Sequence, residues 1–165
     1  VVDAVALQQR PDPLERERER IRTLLESDGI HHSEVREEIQ TTMGENVNVF
    51  REKAGLKQAL EDLREARDRY KRVAVSDPSK TFNTDLIQTI ETRNLLDIAE
   101  MITVGALARD EFRGAHWRKE HQERKDDEWL KHTMLSWNDG NPDLWYKPVV
   151  LEGESKTYEP KSRSY

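Results

Sequence analysis

Residues 82–109 read FNTDLIQTIETRNLLDIAEMITVGALAR, and this stretch sets the architecture of the whole chain. Asn83 or Thr84 is suited to cap the start of a helix here. Apolar side chains then recur around most of the helix circumference, a pattern typical of a helix buried at the centre of a bundle. About 25 residues at 1.5 Å per residue span roughly 38 Å. We therefore expect one long central helix.

Three earlier segments each carry a single apolar stripe, which predicts flanking helices that wrap the central one. The first helix is expected to start near Pro13 and to stop at Gly29, and the second to be capped by Ser33. Gly44 falls inside the second helix, where close packing or a kink is expected. The stripes consist of Ile21, Leu24 and Leu25; Val35, Ile39, Met43, Val47 and Phe50; and Leu56, Leu60, Leu63, Tyr70 and Val73.

The pattern changes after Gly114. Residues 132–137 and 144–151 are predicted to be strands, joined by residues 138–142, which contain the Asp-Gly pair typical of hairpins. Pro148 is expected at an edge or a strand end. The predicted fold is mainly α, an antiparallel bundle of three to four helices followed by a small β-hairpin segment. We divide the chain into 1–12, a remnant of a preceding domain or linker; 13–114, the bundle; and 115–165, a loop, the hairpin and an extended tail.

Composition excludes several classes of function. The 165 residues carry a net charge of −6, which argues against a nucleic-acid partner. There is no cysteine, so disulfides and thiolate chemistry are excluded. No apolar run is long enough to cross a bilayer, and no signal peptide is recognisable. The first residue is not Met, and we expect the start to be a cut inside a larger polypeptide.

No motif for catalysis or cofactor binding is present. GxGxxG and GxxxxGK[ST] are both absent. His116, His121 and His132 lie near a pair of aspartates, but their spacing matches no zinc motif. We therefore predict no catalytic, cofactor-binding or metal-binding residue, with His116 and His132 hydrogen-bonded at a packed surface and His121 exposed. Asp126 and Asp127 are expected to cap a short helix. The four tryptophans are expected to form the core and interface of the small β unit.

The cluster around Gly114 is the place where a functional interpretation competes with a structural one. Gly114 permits a tight turn or a close approach by another segment. Arg113 and Arg118 are suited to bidentate bonds with carboxylates on a neighbouring domain, with His116 beside them. We predict an interdomain clamp; an exposed basic loop is the alternative.

Several blocks, in order, resemble the C-terminal part of the flavoprotein subunit of succinate dehydrogenase and fumarate reductase. Besides residues 82–109, they include MGENVNVFREKAGLKQALEDLREAR at 43–67 and the terminal Arg-Ser-Tyr, so the resemblance runs from about residue 21 to 165. Phe112 departs from the family's usual Ser, and residues 120–122 replace its usual Asp and Pro. The motif that carries the resemblance matches at Arg109, Glu111, Arg113, Gly114, His116, Arg118, Asp126, Asp127, Trp129, His132 and Thr133.

The resemblance implies a role within a larger enzyme. The parent subunit would oxidise succinate to fumarate, or catalyse the reverse, through FAD bound in upstream domains, so no catalytic or cofactor residue is assigned to this chain, which is not expected to be active alone. Implied partners are the flavin-binding domain of the same polypeptide and the iron–sulfur subunit, at the cytoplasmic side of the membrane as a peripheral subunit without direct insertion. The first ten motif residues, 109 to 132, are the candidate contacts with these partners.

Two other functions stay open at this point. One is a stand-alone helical protein-interaction module, and the other is the tail of an L-aspartate oxidase, a soluble enzyme without an iron–sulfur partner. For a severed domain we also expect an exposed apolar strip and possible homo-oligomerisation. The chain itself would then be soluble.

Overall fold

The computed structural model describes residues 12–138, 140–153 and 157–158. Of the predicted segment 1–12, all but Asp12 lies outside this range, as do Asp139 and most of the predicted extended tail. The elements in chain order are α1 (Pro13–Glu26), α2 (His32–Asn46), β1 (Phe50–Arg51), α3 (Lys53–Tyr70), α4 (Thr84–Ala108), β2 (Trp117–Arg118), α5 (Asp126–Trp129), β3 (Lys131–Asn138) and β4 (Asn141–Pro148).

Helices α2, α3 and α4 pack on one another in pairs and enclose the core, while β3 and β4 pair antiparallel. This confirms the predicted fold, mainly α with a small hairpin after the bundle. Leu56 and Leu96 are fully buried, and each lies in a separate apolar cluster. The two clusters comprise Val35, Ile39, Leu63, Ala66, Val73, Leu96 and Ala99, and Val47, Leu56, Ala59 and Ala106.

Helix α4 is not buried all round, contrary to the prediction. Its packed face is lined by Leu96 and by small or polar side chains, whereas four of its large aliphatic side chains point outward. Small residues let α2 and α3 approach the helix closely, and this requirement decides which face is covered. The buried residues are Thr89, Thr92, Leu96, Ala99, Glu100, Thr103 and Ala106, and the exposed aliphatic residues are Ile87, Leu95, Ile98 and Ile102.

The predicted ends of α2 were wrong. His31, not Ser33, is the N-cap, because the His31 Nδ1 accepts from the Ser33 backbone N–H. The helix ends at Asn46, so Phe50 lies in β1 and is 62% exposed rather than part of the stripe. A Cβ on Gly44 would meet nothing within 4 Å, so no helix packs closely there.

Gly29 has a different role from the predicted helix stop. Helix α1 already ends at Glu26, and a Cβ on Gly29 would lie 2.0 Å from the carbonyl oxygen of Arg72. This close approach lets Ile30 pair with Val73 as an isolated parallel bridge. The chain before α2 is thereby fixed against the chain after α3.

The hairpin is confirmed; the first strand extends one residue beyond its predicted limits at each end, and the second lies three residues earlier than predicted. Residues 131–138 pair with 141–148, and Gly140 has φ +86°, the left-handed conformation that a tight hairpin turn requires. Pro148 ends the second strand, as expected. The hairpin packs against α4, where a Cβ on Gly105 would lie 3.0 Å from the Leu135 side chain. Among the described residues, no helix has the length and hydropathy needed to span a bilayer.

Candidate functional site

Residues 109–126, here named the arginine segment, connect α4 to α5 around one buried carboxylate. Glu111 is 0% exposed. It accepts hydrogen bonds from Arg109 Nε at 2.8 Å, from Arg113 Nε at 2.7 Å and Nη2 at 3.0 Å, and from the Lys125 backbone N–H at 3.1 Å. Burial alone would raise the pKa of Glu111, but these donors outweigh burial and lower the pKa below its ordinary value. The carboxylate is therefore charged and fully used inside the chain.

Asp126 extends this ion-pair network instead of capping a helix. Its carboxylate accepts from Arg113 Nη2 at 2.7 Å and from Arg124 Nη2 at 2.6 Å. Hydrogen bonds from Arg113 and Arg124 lower the pKa of Asp126. Helix α5 starts at Asp126 and its N-cap position is held by Lys125, so the predicted capping role of the two aspartates was wrong; Asp127 is exposed.

Arg118 points into the protein and closes the end of α4. It is 1% exposed, and its Nη1 donates to the carbonyl oxygens of Ala106 at 3.2 Å and Leu107 at 3.3 Å. The last carbonyl groups of a helix have no partner within the helix, and a cation near them also complements the helix dipole. Glu120 accepts from Arg118 Nε at 3.0 Å, so this guanidinium is paired as well as buried.

His116 holds a fixed orientation between two arginines. Its Nε2 donates to the Arg109 carbonyl oxygen at 2.9 Å, and its Nδ1 accepts from Arg51 Nη1 at 2.8 Å. Burial, with the nearby guanidinium groups, lowers the pKa of His116, and the ring is neutral. His132 is exposed and His121 is half-buried near Asp110, so the predicted environments of both were wrong.

Gly114 has φ +57°, which confirms the predicted tight turn, and the turn pairs Arg113 with His116. The next residues form β2, which pairs in parallel with β1, Phe50 opposite Trp117.

The tryptophans do not all belong to the small β unit, so the prediction holds for the three on the hairpin side and was wrong for Trp117. Trp117 stacks edge-on against Phe50 and Phe112 beside β1, whereas Trp137 lies under the Arg67 guanidinium at 4.5 Å. Trp129 and Trp145 belong to the hairpin side, and Trp145 is 46% exposed. The aromatic side chains therefore join several elements, and no single ligand platform results.

An open cleft of about 470 Å³ lies between α4 and the hairpin, with the arginine segment at one end. Its lining combines basic side chains with apolar ones. Five of the predicted contact candidates line it, whereas Glu111 and Arg118 are buried behind it. The lining residues are Arg51, Met101, Ile102, Gly105, Ala106, Arg109, Arg113, His116, Trp129, Leu130, Lys131, His132, Thr133, Leu135 and Val149.

A flavin dinucleotide does not fit the residues present. Dinucleotide-binding folds use a parallel sheet with a glycine-rich strand-to-helix turn. Within the described residues the strands form only two separate two-stranded sheets, and the sequence contains no GxGxxG. No step of flavin chemistry is assigned to this chain.

Sequence reasoning missed one convergence of side chains. Among the residues that the structure describes, candidate metal-ligand atoms meet at His31, His32 and Asp85, not at His116, His121 and His132. The adjacent histidines are visible in the sequence, but Asp85 joins them only through the packing of α2 beside α4.

A family model described as fumarate reductase flavoprotein C-term matches residues 36–165. The fumarate reductase flavoprotein subunit of Haemophilus influenzae is 42% identical over 120 residues, covering 72% of this chain and 20% of that protein. The succinate dehydrogenase flavoprotein subunit of Coxiella burnetii is 38% identical over 130 residues, covering 78% of this chain and 22% of that protein.

Solved structures agree with these relatives. An Escherichia coli quinol fumarate reductase chain superposes with a TM-score of 0.76 at 31% identity, over 92% of this chain and 28% of that chain. The chain thus spans only about a fifth to a quarter of the length of the curated relatives it matches. These similarities favour the flavoprotein role over the aspartate oxidase tail and the stand-alone module.

Proposed function

Since the chain belongs to the fumarate reductase flavoprotein C-terminal family, we propose that it is the non-catalytic docking domain of a flavoprotein that interconverts succinate and fumarate. FAD, held by the upstream part of that polypeptide, would accept hydride from succinate or deliver it to fumarate. The role of this chain is structural: it braces the flavin-binding domain and presents a surface to the iron–sulfur subunit. The assembled subunit would lie peripherally at the cytoplasmic side of the membrane.

One observation carries the proposal, the outward face of α4. Ile87 is 55% exposed, Leu95 39%, Ile98 49% and Ile102 44%. We name these four residues the α4 stripe. At 3.6 residues per turn they fall within a sector of roughly 80°. Single exposed apolar residues are ordinary, but an aligned row of them is typical of a surface that another protein covers.

The cleft continues this surface toward the arginine segment. Ile102 belongs to both, and Arg109 and Arg113 also line the cleft. Both guanidinium groups already bind Glu111, and Arg113 also binds Asp126, so these side chains are held in fixed positions at the surface of the cleft. We propose that the flavin-binding domain covers the α4 stripe and that the parent polypeptide or the iron–sulfur subunit contacts the cleft beside this internally paired network.

The first test is to isolate the native form from source cells with an antibody against this chain, and to measure its mass, its flavin content and its co-precipitating proteins. We expect a flavin-containing polypeptide well above 19.4 kDa, in the membrane fraction and with an iron–sulfur protein. A flavin-free band at 19.4 kDa would refute the proposal. A flavin-containing band without an iron–sulfur partner would refute the docking part.

A second test separates docking from folding. Ile98→Asp in the flavin-containing polypeptide places a charge in the α4 stripe, and we expect it to lower flavin retention and assembly with the partner. Leu14→Asp is the matched control, because Leu14 is 55% exposed on α1, outside the stripe. Equal behaviour of the two variants would contradict docking through α4.

A further inference from the structure

The beginnings of α2 and α4 bring two imidazoles and one carboxylate together. His31 and His32 occupy the N-cap and first position of α2, and Asp85 lies in the first turn of α4. The Nε2 atoms of the two histidines lie 3.2 Å and 3.3 Å from the same oxygen, Asp85 Oδ1. All three atoms lie within 4.8 Å of one another.

Hydrogen bonding does not account for this convergence. Asp85 Oδ2 accepts from the backbone N–H groups of Ser76 at 2.7 Å and Asp77 at 3.2 Å. Oδ1 is buried and has no hydrogen-bond partner, despite its proximity to both rings. His32 is 3% exposed, and its Nδ1 is also without a hydrogen-bond partner. Buried polar atoms are normally satisfied, so an unsatisfied group of this kind calls for a ligand.

We propose that His31 Nε2, His32 Nε2 and Asp85 Oδ1 bind a divalent transition-metal ion, with Zn²⁺ as the best-fitting representative. Zinc bonds to nitrogen and carboxylate oxygen are about 2.0–2.2 Å long, so neighbouring ligand atoms of a tetrahedral site lie about 3.3–3.5 Å apart. The observed histidine–carboxylate separations of 3.2 Å and 3.3 Å match this spacing.

The surroundings support coordination at Nε2. The Nδ1 of His31 contacts the Ser33 hydroxyl at 2.8 Å, which orients the ring and leaves its Nε2 toward Asp85. The His31 side chain is 43% exposed, so it can adjust, and its open side gives water access to a fourth position. Two imidazoles and one carboxylate suit zinc-like ions rather than Ca²⁺ or Mg²⁺, which prefer all-oxygen sites.

A plain ion pair with protonated histidine is the competing explanation. Burial lowers the pKa of His32, and the charges of His31 and Arg36 act in the same direction, whereas the Asp85 carboxylate raises it by less than these lower it. An ion pair of this kind would also place a ring N–H in hydrogen-bonding geometry with Asp85 Oδ1, and that oxygen has no hydrogen-bond partner.

Bound metal would join the start of α2 to the start of α4 and to the 76–77 loop. An ion that binds only the folded chain stabilises it by mass action. We therefore expect zinc to raise the melting temperature of the 165-residue chain, a readout that does not depend on enzyme activity or on the proposed function.

The test uses the chain stripped of metal by a chelator, titrated with ZnCl₂ at neutral pH against a colorimetric chelator and followed by thermal melting. We expect one equivalent of zinc and a raised melting temperature. His31→Ser keeps an N-cap oxygen while removing one ligand, and Asp85→Asn removes the charge; each should weaken zinc binding by about a hundredfold or more, since even outer-sphere partners contribute ten- to a hundredfold.

His132→Ser is the control, because His132 is exposed and lies outside the group; it should bind zinc like the unaltered chain. Unchanged zinc affinity in His31→Ser, or no binding by the unaltered chain, overturns the proposal. If Asp85→Asn fails to fold because its loop contacts weaken, His31→Ser decides the question, with its metal-free melting temperature as the check on folding.

Discussion

Two charged residues of the arginine segment are as buried as the bundle core but are stabilised by different interactions. Leu56 and Leu96 are 0% exposed in the core, and Glu111 and Arg118 are 0% and 1% exposed in the segment. The apolar side chains gain from any close contact, since the hydrophobic effect has no direction. The charged side chains gain only where donors and acceptors meet in the right geometry. Apolar and charged side chains that are equally buried therefore differ in how well they tolerate substitution.

The difference also explains how each region responds to its surroundings. Core packing is indifferent to small changes of pH or salt. The network of Arg109, Glu111, Arg113 and Asp126 depends on charge, and its carboxylates have lowered pKa values because the guanidinium groups stabilise their ionised forms. Substitutions and pH can therefore test the two regions separately.

The largest effect is expected from Leu96→Ala in the core. The side chain is 0% exposed, and its removal leaves a cavity, so the free energy of unfolding should fall by about 2–5 kcal/mol. Leu95→Ala is the matched control in the adjacent position, where the side chain is 39% exposed and the loss should be below about 1 kcal/mol. Urea denaturation measures both; equal losses would show that α4 is not oriented as described.

A smaller effect is expected from Glu111→Gln in the arginine segment. The substitution keeps an acceptor but removes the charge that faces Arg109 and Arg113, so the free energy of unfolding should fall by about 1–3 kcal/mol. Chemical denaturation at neutral pH measures this loss. If the free energy of unfolding did not fall, the network would fix the positions of these side chains without stabilising the fold.

The same variant has a pH signature. Because the folded-state pKa of Glu111 lies below its ordinary 4.5, its stabilisation is present above that value and is lost as pH falls through the folded-state pKa. The unaltered chain should therefore lose stability below about pH 4.5 more steeply than Glu111→Gln. Parallel pH profiles for the two proteins would contradict the charged role.

The smallest effect is expected at the surface of α1. Glu15 and Arg18 form an ion pair at 2.6 Å, with side chains 63% and 59% exposed. Such exposed pairs contribute little, so Glu15→Gln should change the free energy of unfolding by less than about 0.5 kcal/mol. Thermal melting at low and high salt measures it. A loss comparable to that of Glu111→Gln would overturn the distinction between buried and exposed charge pairs.

What could be predicted from the sequence follows the same division. The long helix, the apolar stripes and the β-hairpin are local patterns, and the structure confirms them except at Phe50, which lies outside its predicted stripe. Which face of α4 is buried could not be predicted, because the covered face is chosen by the close approach of other helices and not by hydropathy. The contact role of the arginine segment stays a prediction.

The directions of individual charged side chains could not be predicted from the sequence either. Arg118 turns inward because the carbonyl groups ending α4 need donors, a demand that exists only once the helix has formed. The convergence of His31 and Asp85 depends on two helix starts lying side by side. A sequence pattern records neighbours along the chain, and these contacts join distant segments.

The pairing of Phe50 with Trp117 bears on whether the chain can be cut into two pieces that still fold together. Strand β1 precedes α3 along the chain and β2 follows α4, and the two strands pair with each other. Residues 50–118 therefore form a closed ring, and the β1–β2 pair is the seam where it closes. The exposed residues 78–82 lie between α3 and α4, near the middle of this ring and far from the seam along the chain. A single cut there would open the ring without releasing either half, since each half keeps one strand of the seam and one side of the α3–α4 interface. We expect the two pieces, separately expressed, to reassemble into one fold.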